Sequence, residues 1–200
     1  MLSACSLYGI DMSKPGNNNS VRIIGGDWRG RKLPVADVPG LRPTGDRARE
    51  TLFNWLQPWV LAADCADLFA GSGALGFEAA SRGASEVVMV EQNRTAAATL
   101  AQNIELLAAD NIELVVADAL TWLTHDPERE FDLVFLDPPY RTGVLAECCK
   151  SLESGQRLAE NAKIYAEHAA GNDELLVPEN WVCLKHRRAG QVVYKLFSRR

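Results

Sequence analysis

Asp137-Pro138-Pro139-Tyr140 closes the apolar run Phe131-Asp132-Leu133-Val134-Phe135-Leu136, and it concentrates more potential chemistry than any other stretch of the chain. A short apolar run of that kind reads as a buried strand. Two successive prolines carry no backbone N–H and each fixes its own φ, so the strand must stop in a rigid turn. A carboxylate, carbonyl oxygens facing outward and an aromatic ring are then held together at the mouth of a sheet. Such a set suits a planar heterocycle with an exocyclic –NH2: the carboxylate and a carbonyl accept its two N–H bonds, and the ring stacks on its face. The plainer alternative is a proline-stopped strand with a buried Tyr140.

Three further groups have the spacing of a nucleotide site. Asp67-Leu68-Phe69-Ala70-Gly71-Ser72-Gly73-Ala74-Leu75-Gly76 fits G-x-G-x-x-G through Gly71, Gly73 and Gly76, between an expected strand and an expected helix. Glycines there let the backbone approach a ligand. Glu91, followed by Gln92, ends a second strand, where a carboxylate can accept from both hydroxyls of a ribose. Asp118, followed by Ala119, lies just past a third strand; it can accept from an adenine amino group or cap the next helix. The glycine loop, Glu91, Asp118 and Asp137 all fall at carboxyl ends of strands, where open α/β sheets bind ligands. The glycine loop and Glu91 alone suit NAD and S-adenosylmethionine (SAM) equally; the Pro-Pro amide cradle favours a SAM-dependent amino-methyltransferase over a hydride-transfer enzyme.

The elements that must position these groups alternate. Strands are expected at 64–70, 87–91, 112–117, 131–137 and 162–167, and helices at 74–82, 93–108, 119–123 and about 143–152. A closing pair, 181–185 and 192–197, turns around Ala189-Gly190. Repeated βα units imply a parallel sheet covered on both faces, with an antiparallel terminal hairpin. Before them, Val21 to Gly26 reads as the start of a hairpin-like extension. Thr44 is placed to N-cap a helix running to about Gln57, with Ala48, Leu52, Trp55 and Leu56 on one face and Arg47, Arg49 and Asn54 on the surface. Residues 1–20 read as a flexible leader, 21–58 as the extension and its helix, and 59–200 as the main domain, with Met1 or Met12 as the start.

Two hundred residues at 47% hydrophobic suit one substantial core. No run approaches a membrane span, and residues 1–20 lack the pattern of a signal peptide. Five cysteines without CxxC spacing argue for a reducing cytoplasm and against a zinc site, so no metal is expected. The net charge of −5 hides a segregation. Ser20–Arg49 carries seven basic residues (Arg22, Arg29, Arg31, Lys32, Arg42, Arg47, Arg49) against three acidic, and Cys183–Arg200 carries six with no acid. Glu50–Val182 holds seven basic against twenty-two acidic residues. An acidic body with two basic ends, one interleaved with Trp28, suits a soluble enzyme with a polyanion-binding face.

The motifs Ile23-Ile24-Gly25-Gly26-Asp27-Trp28-Arg29-Gly30-Arg31-Lys32-Leu33-Pro34, Leu41-Arg42-Pro43-Thr44, Asp46 to Leu56, Phe69 to Gly76 and Asp137 to Tyr140 together resemble the bacterial small-subunit (16S) ribosomal RNA guanine-N2-methyltransferase family, over about Val21 to Arg200. The N-terminal matches are the specific part; Tyr140 stands where Phe is expected to be commoner. The resemblance implies a Rossmann-like class I SAM-dependent methyltransferase with a mostly parallel seven-stranded sheet. It implies methyl transfer to the exocyclic N2 of one guanine during ribosome assembly. SAM, leaving as S-adenosylhomocysteine, would contact Asp67, Phe69, Ala70, Gly71, Ser72, Gly73, Leu75, Gly76, Glu91, Gln92, Asp118 and Ala119. Asp137 to Tyr140 would hold the amine, and Trp28, Arg29, Arg31, Lys32, Arg42, Thr44, Arg47 and Arg141 the RNA. The expected setting is cytoplasmic: a monomer acting on rRNA, within a partly assembled 30S subunit with ribosomal proteins, away from membranes. A DNA adenine-N6 methyltransferase and a non-catalytic RNA-binding assembly factor are the alternatives.

Overall fold

Val21 and Leu33 face each other across the short antiparallel pair β1 (Ser20–Arg22) and β2 (Lys32–Pro34), and both are buried. In a computed structural model, which describes residues 20–41, 45–125, 129–139, 143–171 and 175–200, this pair precedes a helix, α1 (Asp46–Leu56). The expected alternation follows: β3 (Asp64–Asp67), α2 (Ala74–Ser81), β4 (Glu86–Val90), α3 (Arg94–Leu107), β5 (Ile112–Val115), α4 (Ala119–His125), β6 (Phe131–Leu136), α5 (Val144–Ser154) and β7 (Leu158–Ala169). The hairpin β8 (Trp181–Ala189) and β9 (Val192–Arg199) closes the chain.

The seven-stranded sheet has the order β5-β4-β3-β6-β7-β9-β8. It is parallel through β7, and β9 enters antiparallel to both β7 and β8. The chain winds outward from β3 through β4 to β5, then returns to β6 on the other side of β3. A crevice therefore opens above the carboxyl ends of β3 and β6, the topological switch point where such sheets hold ligands. One face packs α1, α2 and α3 through Leu52, Phe53, Phe77 and Leu100 against Cys65, Leu133 and Phe135. The other packs α4 and α5 through Trp122, Leu145 and Cys149 against Val88, Val134 and Ile164. Burying each large apolar side chain stabilises the fold by about 1.5–3 kcal/mol.

Three local expectations are corrected. The N-cap of α1 is Gly45, with no side-chain cap bond, and not Thr44, which lies outside the described residues. Strand β7 runs well beyond 162–167 at both ends, because it pairs β6 on one side across a register shift and β9 on the other. Arg49 is not a surface residue: it is 1% exposed.

The reason for that burial is Glu78 on α2, which is fully buried. Its Oε2 accepts the Ile24 amide at 2.8 Å, and its Oε1 accepts the Gly25 amide at 2.8 Å and Arg82 Nε at 2.7 Å. Arg49 Nη1 lies 3.7 Å from Oε2, while Arg49 Nη2 donates to the Arg22 carbonyl at 2.7 Å and to Asp46 at 2.6 Å. Ser81 adds three bonds: its carbonyl accepts from Asp27 N, its Oγ accepts from Trp28 N, and that hydroxyl donates to Gly25 O. The extension is thus fastened to α2 by polar bonds and to the core by Val21, Ile23 and Leu33.

Glu78→Ala is expected to lower the unfolding free energy by about 3–5 kcal/mol, since it removes the acceptor from two guanidiniums and two amides. Arg129→Ala, which breaks surface pairs with Glu86 and Glu113, costs at most about 1 kcal/mol. Urea unfolding of both variants measures the contrast; equal losses would mean that Glu78 does not anchor the extension.

Candidate active site

Asp67 ends β3 and is 1% exposed. Its Oδ2 accepts the Gly76 amide at 3.0 Å, and its Oδ1 makes no hydrogen bond. Burial pushes its carboxyl up to about 7; the amides of Gly76 and Phe69 pull the other way, and Asp137 and Glu91 add to the rise. The glycine pattern has two separate reasons here. Gly73, the N-cap of α2, has φ +75, and a Cβ on it would stand 2.4 Å from Phe77. A Cβ on Gly76 would stand 2.4 Å from Met89 Cε, so glycine lets α2 close onto β4 and receive Asp67. Ser72 and Leu75 of the same loop are buried, whereas Phe69 and Gly71 are partly open.

Glu91 follows β4 and braces the loop: Oε2 accepts the Gly71 amide at 2.8 Å and Oε1 the Asn93 amide at 2.7 Å. Each oxygen keeps a further lone pair for a hydroxyl donor. Gln92 beside it is exposed. Asp118 takes the capping role: its Oδ1 accepts the Thr121 amide at 2.9 Å at the start of α4, with Ala119 buried behind it. As an exposed residue it still stands at the crevice edge. The cradle therefore fits the adenosyl donor implied by the sequence: backbone amides in the glycine loop, an acid past β4 and another past β5, with an orphaned buried carboxyl oxygen beneath.

Asp137 and Pro139 border the crevice past β6, with Pro138 buried between them. Tyr140 and Arg141 lie outside the described residues, as does Arg42. Reading along β6, Leu133 and Phe135 share a core with α1 and α2, so Asp137 continues on that face. Next to it stand residues that the sequence alone did not single out. Tyr165 on β7 packs edge-on to Phe135 at 6.5 Å and parallel to Tyr194 of β9 at 6.3 Å. Its hydroxyl donates to Glu167 Oε1 at 2.7 Å, and Glu167 is 3% exposed. Burial and the nearby carboxylates of Glu167 and Asp137 raise the phenols of both tyrosines. Glu167, Tyr194 and Arg187 are register partners across β7, β9 and β8. The available signal was a Tyr and a Glu two apart on the same face of β7.

The basic residues are divided between two places. Arg47 is exposed on the first turn of α1, near Tyr165 and Tyr194. Trp28, Arg29, Arg31 and Lys32 sit with the extension, whose backbone is bound to Ser81 at the far end of α2. That eight-residue helix spans about 12 Å, so these side chains are not gathered at the glycine loop. Trp28 is half-buried and packs on the core, the anchoring role. Arg31 Nη2 caps α3 through the Leu106 carbonyl at 3.1 Å. Arg29 and Lys32 are exposed.

Comparison with known proteins is consistent with this geometry. The family described as conserved hypothetical protein 95 matches residues 21–198. The chain belongs to that family. It is 47% identical over 190 residues to ribosomal RNA small subunit methyltransferase D of Escherichia coli K12, covering 94% of this chain and 96% of the relative. The protein of the same name from Haemophilus influenzae is 44% identical, covering 92% and 96%. The solved structure of yhhF from Escherichia coli superposes with a TM-score of 0.85 at 46% identity, over 90% of this chain and 98% of that one. SMU.776, crystallised with SAH, shares the fold at 16% identity and a TM-score of 0.64, over 75% of this chain and 49% of its own. Conserved hypothetical protein 95 is thus a family on the α/β methyltransferase fold, and its matched span includes both the extension and the crevice.

Asp67 holds its proton more tightly folded than unfolded. Between its ordinary value of 3.8 and about 7, the folded chain keeps a proton that the unfolded chain has lost. Stability contributed by this group accordingly falls as pH rises through that window and levels off above it. Urea midpoints of the unliganded chain and of Asp67→Asn, taken from pH 4 to 8, are expected to converge at the low end and separate in favour of Asn at the high end; a constant offset would contradict the raised carboxyl.

Proposed function

We propose that this protein transfers a methyl group from SAM to the exocyclic N2 of a guanine in small-subunit ribosomal RNA. The observation that carries the reading is that Asp137-Pro138-Pro139 follows β6, the strand paired in parallel with β3, whose end bears Asp67 and leads into the glycine loop. SAM supplies, when bound, an electrophilic methyl group on a sulfonium. Gly71 to Gly76 and Glu91 hold its amino-acid and ribose portions, and Asp118 stands at the edge that faces the adenine.

The chain itself must make a poor nucleophile attack. The guanine amine's lone pair is delocalised into the ring. Acceptance of its hydrogens by the Asp137 carboxylate and the Pro138 carbonyl favours a pyramidal nitrogen whose lone pair points at the donor. The double proline keeps both acceptors from swinging away, so orientation supplies most of the rate. Asp137 either takes the proton released or only orients the amine. Tyr140, adjoining them in sequence, stacks on the face of the extruded base and offsets part of the few kcal/mol that unstacking costs.

Arg29 and Lys32 bind phosphates at a distance from the reaction, on a partly assembled small subunit in the cytoplasm, and the chain acts as a monomer. Among the described residues, no helix is long and apolar enough to cross a membrane.

Labelled SAM with protein-bound small subunits, naked rRNA and duplex DNA tests the assignment: label is expected on rRNA guanine and absent from DNA adenine. Asp137→Ala should leave SAM affinity within about threefold while lowering turnover by about 10²–10⁴-fold. Loss of SAM binding in that variant would make Asp137 a structural residue. Arg29→Gln with Lys32→Gln should reduce the slope of log affinity against log salt by about 1.4, for two phosphates at about 0.7 each on single-stranded RNA; an unchanged slope would place the phosphate contacts elsewhere.

A further inference from the structure

A cavity of about 270 Å³ lies between α1 and the corner where β7, β9 and β8 meet. Arg47, Thr51 and Trp55 of α1 line one side, and Tyr165, Tyr194 and Arg187 the other. Arg187 Nη1 donates to Thr51 Oγ1 at 3.0 Å, so the guanidinium is held across the cavity mouth. Among the described residues that line it there are two arginines and no carboxylate, in a chain whose net charge is −5. Its walls are aromatic and its mouth cationic. That pairing accepts a nucleobase by its face and a phosphate by its charge.

The cavity is not where the methyl group goes. Its lining includes neither Asp137 nor the prolines. Yet it adjoins them: Tyr165 touches Phe135, two residues before Asp137, and Glu167 beside Tyr165 pairs with Tyr194. A base extruded to Asp137 leaves its neighbour in the strand unstacked, and that neighbour must find cover next door.

We propose that this cavity receives the nucleotide adjoining the target guanine in a single-stranded RNA segment, its base lying against Tyr194 and Trp55 and its phosphate held by Arg47 and Arg187. This rests on the rRNA methyltransferase reading above and adds a flanking-nucleotide subsite to it. The C-terminal basic cluster thereby gains a defined role, in which Arg187 orients the strand at the reacting end while the extension works at the other end of α2. Substrates with a base beside the target should react faster than those with an abasic neighbour.

Two measurements test it with the full chain. Ala48→p-benzoylphenylalanine places a photocrosslinker in the cavity wall. It is irradiated with SAH and small subunits, or naked small-subunit rRNA, from cells lacking this methyltransferase. The crosslink is expected on the nucleotide next to the methylated guanine. Separately, Arg47→Gln with Arg187→Gln should raise KM for RNA at least about tenfold, reduce the salt slope by about 0.7 and leave the Kd for SAM unchanged, as loss of one single-strand phosphate contact requires. Both arginines are exposed, so the fold should persist. A crosslink to a ribosomal protein or to distant rRNA overturns the subsite, as does a double variant with unaltered KM and slope. If the unaltered chain methylates no RNA at all, the underlying reading fails, and the subsite with it.

Discussion

A buried carboxylate with four partners holds the functional halves of this molecule in register. Glu78 lies one turn into α2, the helix that starts in the glycine loop, and it reaches back to the amides of Ile24 and Gly25 and to Arg82 and Arg49. Desolvating a carboxylate is costly unless it is paired and hydrogen-bonded, and here three hydrogen bonds and the Arg49 ion pair come from the extension, α1 and the end of α2. The dependence runs through packing as well. Arg82 also lies over the Phe53 ring at 5.0 Å, and Phe53 packs on Phe135 at 5.9 Å. Moving Glu78 would therefore shift α1 and, through Phe135, the end of the strand that delivers Asp137.

The rim of the sheet follows a different electrostatic logic. Glu91 and Asp137 each lie near enough to Asp67 to raise the cost of ionising it. Burial is the larger cause of that rise, since Asp67 is 1% exposed and its Oδ1 accepts no hydrogen bond. A positively charged sulfonium relieves that repulsion, so an acid-rich crevice that is awkward when vacant becomes complementary when the donor arrives. RNA phosphates would meet the opposite problem at this rim. The arginines at the mouth of the neighbouring cavity, and the extension on the far side of α2, place positive charge where phosphates would pass on the proposed reading, and leave the crevice itself acidic.

How much of this was legible beforehand depended on whether the cause was local. The strands and helices from Asp64 to Ser154 follow from apolar periodicity and glycine punctuation, and the site residues of the cradle follow from their place at strand ends. The N-cap function of Asp118 is equally local, three residues before its donor at Thr121. Arg49 was misplaced on the surface because its burial is caused by Glu78, twenty-nine residues on, and by Arg22 before it. Thr44 looked like a cap by type, but a Gly at 45 with extended backbone starts the helix instead. Tyr165, Tyr194 and Arg187 become neighbours only through the antiparallel insertion of β9 beside β7, a pairing between distant segments that no periodicity encodes.

That insertion also bears on the choice of substrate. Because β9 and β8 extend the sheet beyond β7, the cavity beside the crevice is walled by Tyr194 and Arg187 where a shorter sheet would leave it open. That wall stands opposite α1 and, through Tyr165, next to Phe135, and on the proposed reading a substrate reaches Asp137 as a protruding base on a strand. A free nucleoside would fill the site near Asp137 but leave Arg47, Arg187 and the distant extension without contacts. Since binding away from the reacting atoms can be used to fix their orientation, a substrate spanning these contacts gains in turnover as well as in affinity. On that reading the fold suits a strand projecting from a larger structured body better than a small acceptor.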